Sequence, residues 1–380
     1  MKKTGYLLSF VVLAITIWAC SSDGSSTDAG SSDDEVPVTF DRGAMLTNWA
    51  DNIIIPSYQA FQVQLLDLQS AYETFISDQS VSNLEAVRVA WESAYKEWQH
   101  VSMFEIGPAE SIGYRLNMNT FPADTDLIDA FIAIGTFDLS LPSNRDAKGF
   151  PALDYILNGI EVDDTTLIAL LTNNANSVNQ QDYVAALLAD MVSLTDDVVG
   201  QWEGTYRDTF VENDGSSATA SVDRFVNDYI FYYERFLRAG KIGIPIGVFS
   251  GTTEVNTLEV LYKPELSKSM FLEGLNAVQD FFNGKHYSSA TTGESLESYL
   301  QALNTVKDGA DLAELINDQM DAAREIVSAL DDFKTEIEAA NPPVPMFLAY
   351  DEVQKIVPLF KVDMVSAMSI NIDFVDADGD

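Results

Sequence analysis

The sequence predicts an all-α protein built as two helical-bundle domains related by internal duplication, and three observations carry that expectation. Apolar residues recur at spacings of three and four along almost the whole body of the chain, and alternating strands with hairpin turns are hardly seen. About 340 residues from Phe40 onward also exceed what one hydrophobic core comfortably organises. The first amphipathic helix is marked by Phe61, Leu65, Leu68, Tyr72, Phe75 and Ile76. Leu84, Val87, Trp91, Tyr95 and Trp98 mark the second, which Ser82 and Glu85 open in a capping-box pattern. Val184, Leu187, Leu188, Met191, Leu194, Val198 and Trp202 form the third stripe, and Phe225, Tyr229, Tyr232 and Phe236 a fourth, aromatic one. Met270, Leu275, Val278 and Phe282 follow, and a last stripe runs through Leu312, Leu315, Ile316, Ile326, Leu330 and Phe333. Because the aromatic residues repeat at helical spacing, they are assigned to packed core and not to stacking on a haem or glycan.

Faint repetition indicates where the chain divides. Ile106-Gly107-Pro108 follows the aromatic helix of the first half, and Ile242-Gly243-Ile244-Pro245 follows that of the second. ALDYILNG over residues 152–159 is echoed by AVQDFFNG over residues 277–284. The polar stretch ENDGSSATAS, residues 212–221, sets the expected boundary, giving domains 40–212 and 213–380.

The N-terminus predicts a compartment. Lys2 and Lys3 precede an apolar run that ends at Cys20, the only cysteine of the chain. Such a run is too short and wrongly flanked for a stable span and reads as a secretory signal over residues 1–19. Ile17-Trp18-Ala19-Cys20 resembles a bacterial lipobox, so Cys20 is expected to become a lipidated N-terminal residue. Residues 20–39, Gly/Ser-rich and acidic, then form a flexible linker. An acidic run directly after the cysteine is similar to the export signal of surface lipoproteins, which places the body on the outer membrane, facing the surface or the periplasm. Membrane attachment is expected through the lipid alone. With 21 basic and 59 acidic residues, the net charge of −38 makes nucleic acid and anionic lipid poor partners. The acids are spread along the chain, as in a generally solvated acidic surface.

The segment GFPALDYILNG, residues 149–159, reads as a helix start. Gly149 suits a turn, Pro151 the first helical position and Asp154 the first turn, near the positive end of the helix dipole. Leu153, Ile156 and Leu157 supply an apolar stripe, and Asn158-Gly159 a stop.

The order of the helix bearing Trp91, Tyr95 and Trp98, then FEIGPAE, RLNMNTFPADTDLID and GFPALDYILNG, resembles the imelysin family, which includes imelysin-like proteins linked to bacterial iron uptake. GKIGIPIGVFSG, LEVLYKPELSKS, FFNG before Lys285 and the closing DFVDADGD are similar to that family's C-terminal half. The resemblance implies two helical bundles with a site in the cleft between them. It also implies a helix start of the form Gly-x-His-x-x-Glu, where an imidazole and a carboxylate serve a metal or acid–base chemistry. Here Pro151 and Asp154 occupy those positions, so no catalytic residue is expected and Asp154 is the one metal candidate the motif retains.

Polar residues set in apolar or turn-forming segments are the candidates for the cleft: Glu105, Arg115, Asn117, Asp124 and Asp126 with Asp154, joined from the second half by Lys241, Ser250 and Glu259. The alternative reading of these residues is a salt-bridged and capped turn network. His100 and His286 have no histidine partner at ligand spacing and are assigned capping or surface roles. The chain has no His-Glu-x-x-His, no Gly-rich phosphate loop, and in GVFSG no true nucleophile elbow. Asp376, Asp378 and Asp380 resemble the start of a calcium loop but are read as a tail. The expected function is a non-catalytic lipoprotein of nutrient uptake that binds iron, another divalent metal, haem or a small ligand and works with an outer-membrane receptor. A metal-dependent peptidase using relocated carboxylates and a surface scaffold are the alternatives.

Overall fold

Helix follows helix from Arg42 to Met368 in the computed structural model of the chain, which describes residues 40–161 and 163–374. The expected signal segment, Cys20, the linker and the terminal acids from Asp376 lie outside the described residues. Among those residues the single sheet is a hairpin, Val306–Lys307 against Ala310–Asp311. Asp308 and Gly309 close it, both with positive φ, as a two-residue hairpin turn requires.

Ile55–Ser77 and Val81–Val101 pack along one another over most of their lengths, and Ser177–Gln201 lies against the first of them. Their expected stripes are buried: Phe61, Leu65, Leu68, Leu84, Trp91, Trp98, Leu187 and Met191 are each at most 2% exposed. In the second half Leu312–Ser328 packs on both Ser267–Phe282 and Val344–Gln354. Two details differ from expectation. The second long helix starts two residues early, where Ser80 Oγ accepts the Asn83 N–H at 3.3 Å in place of a Ser82–Glu85 box. The stripe that ends in Phe333 is broken after Ser328, because Asp332 accepts the Thr335 N–H and caps a separate helix, Phe333–Ala339.

The expected boundary falls in an irregular segment between the helices Arg207–Glu212 and Ser221–Phe231. Packing continues across it. Trp49 and Phe104 of the first half share one aromatic cluster with Phe225 and Phe281 of the second, at centroid separations of 4.9 to 5.9 Å. The two echoed motifs adopt different backbones: residues 149–159 form a short α-helix that widens into a π turn, whereas residues 277–284 close a regular α-helix and end at Gly284 with φ +64°. Among the described residues no helix is long and apolar enough to cross a membrane.

Gly149 shows why its motif begins with glycine. Its φ is +70°, and a Cβ there would sit 2.1 Å from the Met118 carbonyl oxygen. Pro151 follows in the same first turn, where no intrahelical donor is lost. Asp154, expected in that first turn, instead ends the α segment, too far along to serve the dipole. Gly149→Ala is expected to cost at least about 2 kcal/mol, since both the backbone angle and the close approach oppose a side chain. An unchanged urea midpoint would contradict this account.

Candidate functional site

A strip of the second half, residues 258–262, is held against the first half by buried polar groups, and most of the ionisable candidates converge there. The strip follows a 12-residue π-helical stretch, Tyr232–Gly243, that continues the aromatic helix and carries Phe236 and Lys241. Wide turns of this kind are frequent at functional sites. Lys241 and Glu259 are 4% exposed and form an ion pair. The Lys241 ammonium also donates to Gln99 Oε1 at 2.9 Å, and Asn119 Nδ2 donates to Glu259 Oε1 at 2.8 Å. Tyr95 OH donates to Asn119 Oδ1 at 2.6 Å, and the Tyr95 ring stacks on Phe150 with centroids 4.3 Å apart. Each charge therefore has its counter-charge and its hydrogen bonds, which burial demands. Burial lowers the Lys241 pKa, and Glu259 opposes that shift.

One step away lies a second ionic group. Arg115 donates through Nη2 to Asp228 at 3.0 Å, through Nε to the Ser102 carbonyl at 2.6 Å, and through its backbone N–H to Glu105 Oε2 at 2.7 Å. Its guanidinium lies over Phe236 and Tyr232, 4.6 and 5.3 Å from the ring centroids. Asp228 in turn accepts the Glu105 N–H at 2.9 Å. Burial pushes the Glu105 carboxyl up to about 7, against the pull of Arg115. Between these two groups a small void is bordered by Arg115, Phe121, Tyr232, Lys241 and Glu259.

Asp154 grips the same strip from the other side. It is 1% exposed, its Oδ2 accepts the Tyr262 N–H at 2.9 Å, and its Oδ1 accepts from Asn158 at 3.1 Å. Burial raises its pKa to about 6, while those two hydrogen bonds act in the opposite direction. Gly159 makes room for the contact, since a Cβ would come within 2.4 Å of the Tyr262 ring.

Glu105, Arg115, Asp154, Lys241 and Glu259 thus meet along one seam, and the other candidates do not. Asn117 bonds the Ile112 and Gly113 carbonyls, Asp124 caps the helix Thr125–Ile134, Asp126 is exposed in its first turn, and exposed Ser250 closes its own turn on Thr252. Asn117, Asp124 and Ser250 thus spend their short polar side chains on nearby backbone. Gln99, Asn119 and Asp228 belong to the seam and were missed. The available signal was a polar residue inside an apolar helical stripe, as with Gln99 beside Tyr95 and Trp98. A metal does not fit the helix-start motif, because Pro151 offers no donor and both Asp154 oxygens already hold hydrogen bonds. Among the described residues no three His, Cys, Asp or Glu side chains are gathered to hold a metal ion.

Comparisons with known proteins bear on the family and the fold. A peptidase M75 family model, described as imelysin, matches residues 54–355. Over 120 residues the chain is 30% identical to iron-regulated protein A of Synechococcus elongatus; the match covers 30% of this chain and 32% of that relative, so the chain spans about a third of its length. The structure of a protein named as an iron-regulated protein A precursor from Parabacteroides distasonis superposes with a TM-score of 0.68 at 17% identity, covering 85% of this chain and 95% of that one. An imelysin-like protein from Psychrobacter arcticum gives the same score and identity, with 88% and 97% covered. At such identities the two structures establish the all-helical fold alone.

Two measurements test the seam. Glu259→Gln strands the Lys241 ammonium and is expected to cost about 3–5 kcal/mol, whereas the double change Lys241→Met with Glu259→Leu restores most of that loss; equal losses in both variants would refute the pairing account. The folded pKa of Asp154 is raised, from 3.8 to about 6, so the folded state binds the extra proton in that window and its stability falls as pH rises through it. Asp154→Asn is expected to flatten this part of the stability–pH curve, as read from urea midpoints between pH 4 and 7.

Proposed function

The chain belongs to the imelysin family, and from that premise we propose that it is a non-catalytic binding component of iron-related nutrient uptake, working outside the cytoplasm. One observation carries the non-catalytic part. The only ionisable side chain left in the motif, Asp154, is enclosed at 1% exposure and holds the Tyr262 N–H, so it is shut away from solvent and from any substrate to which it could pass a proton. The iron-related part is supported by the matches to iron-regulated protein A of Synechococcus elongatus and to the like-named precursor of Parabacteroides distasonis. The lipid anchor at Cys20, the outer-membrane location and an uptake receptor as partner belong to the same proposal and rest on the N-terminal sequence.

The seam fits a structural role in such a protein. A closed set of buried ion pairs fixes one half against the other, and a binding surface made by both halves is then preformed.

Binding of an iron form is expected to raise the melting temperature in proportion to the logarithm of its concentration. Incubation with an unstructured protein such as casein, with and without added divalent metal, is expected to leave the substrate intact. Chelator-sensitive cleavage of casein would overturn the proposal in favour of a peptidase.

A further inference from the structure

Phe249 stands 44% exposed on the turn GVFSG, residues 247–251, whose backbone leaves it little freedom. Gly247 has φ +80°, and a Cβ there would lie 2.1 Å from the Thr252 carbonyl oxygen; Gly251 follows at φ +78°. The Val248 N–H donates to the Gly243 carbonyl at 2.9 Å, and the N–H groups of Gly251 and Glu254 donate to the Gly247 and Pro245 carbonyls at 2.8 Å. The Phe249 ring meets Tyr350 edge-on at 6.5 Å and has the Arg238 guanidinium 5.9 Å from its centroid. Gly243 leaves room for it, since a Cβ would come within 2.9 Å of that ring. A large apolar side chain is therefore presented to solvent by a closely bonded turn.

Beside the turn lies a groove of about 330 Å³, bordered on the other side by the helix Val344–Gln354 and the prolines before it. Pro342, Gly251 and Asp351 are exposed at this groove, and Val248 and Phe347 are half-buried. Val344, Leu348 and Asp351 follow one another at spacings of four and three and so share a helix face, on which Val344 and Leu348 are each 54% exposed. Apolar surface gathered around a groove is characteristic of a protein contact.

Charge selects the occupant. The two segments that frame the groove, residues 242–262 and 335–354, contain no Lys beyond Lys241 and no Arg. Arg238, beneath the turn, is 3% exposed, and Lys355 is paired with Glu352 at 2.6 Å. Asp351 at the groove and Glu254 beside it have no ion-pair partner among the described residues. The edge of the groove is thus acidic. A second copy of this chain, at net charge −38, would set like charge against like, and so would an anionic lipid surface. An apolar anchor flanked by basic residues suits both the groove and its edge. We propose that this groove docks a segment of another protein in which a bulky apolar side chain stands between lysines or arginines. The proposal goes beyond the iron-related reading and does not depend on it.

The test selects short random peptides displayed on phage against the purified protein, with the double variant Phe249→Ser, Leu348→Ser as counter-selection. Enriched peptides are synthesised and titrated against the parent chain, Phe249→Ser, Leu348→Ser, Asp351→Lys and, as a control at an exposed apolar residue of the first half, Ile134→Ser. Helicity and melting temperature establish that each variant is folded. The expected peptides share one aromatic or branched apolar residue flanked by Lys or Arg. Their binding is expected to weaken about 10- to 30-fold with Phe249→Ser or Leu348→Ser, to weaken with Asp351→Lys and with added salt, and to be unchanged in Ile134→Ser. Enriched peptides without basic residues, or binding that ignores the groove variants, would overturn the proposal, and so would the absence of any enrichment. A dimer of the parent chain in sedimentation velocity, dispersed by Leu348→Ser, would overturn it in favour of self-association.

Discussion

The buried ammonium of Lys241 is the constraint around which the middle of the molecule is arranged. An ammonium removed from water costs several kcal/mol unless its protons are all met. Glu259 and Gln99 take two of them, which buries a carboxylate that must itself be satisfied by Asn119, which in turn takes the Tyr95 hydroxyl. The chain of obligations runs from the second half through the strip 258–262 into the aromatic face of the helix Val81–Val101. Arg115 repeats the logic one step away, held by Asp228, a backbone carbonyl and two rings. Such a set fixes the relative position of the helices it joins, because any slippage leaves a charge stranded.

Much of the helical architecture was legible because apolar periodicity is a direct record of which face is buried. Trp91, Tyr95 and Trp98 announce their helix as core, and they are core. The seam was legible only in part. Glu105, Arg115, Lys241 and Glu259 drew notice as charges in otherwise apolar or turn-forming segments, and the fold brings them within two linked groups. Gln99 and Asp228 were hidden because one polar residue in a long stripe reads as a lapse in the pattern. The π winding of Tyr232–Gly243 shifts the helix face within that stretch, which a period of 3.6 residues does not anticipate. Asp124, Ser250 and Asn117 were over-read, since their polar groups serve only the adjacent turn.

Asp154 illustrates how a family motif changes character without disturbing its surroundings. With Pro151 beside it, the helix still starts, and the remaining carboxylate acts as a clasp on backbone. The charge that in Gly-x-His-x-x-Glu would be available for chemistry is here structural, and the two imidazoles the chain does possess stand in a different cavity. Binding and catalysis can separate in this way because the fold depends on the helix start and not on the identity of its polar groups.

The aromatic cluster that joins Trp49 to Phe225 and Phe281 has a consequence for the order in which the molecule can form. Asn48 bonds the Gly284 carbonyl across 236 residues of sequence, and Arg42 bonds Asp223 across 181. The first helix has no complete burial site until most of the chain has been synthesised, so contacts of such long range delay closure of the core. A polypeptide with this topology stays open for longer during synthesis than one whose first half folds by itself.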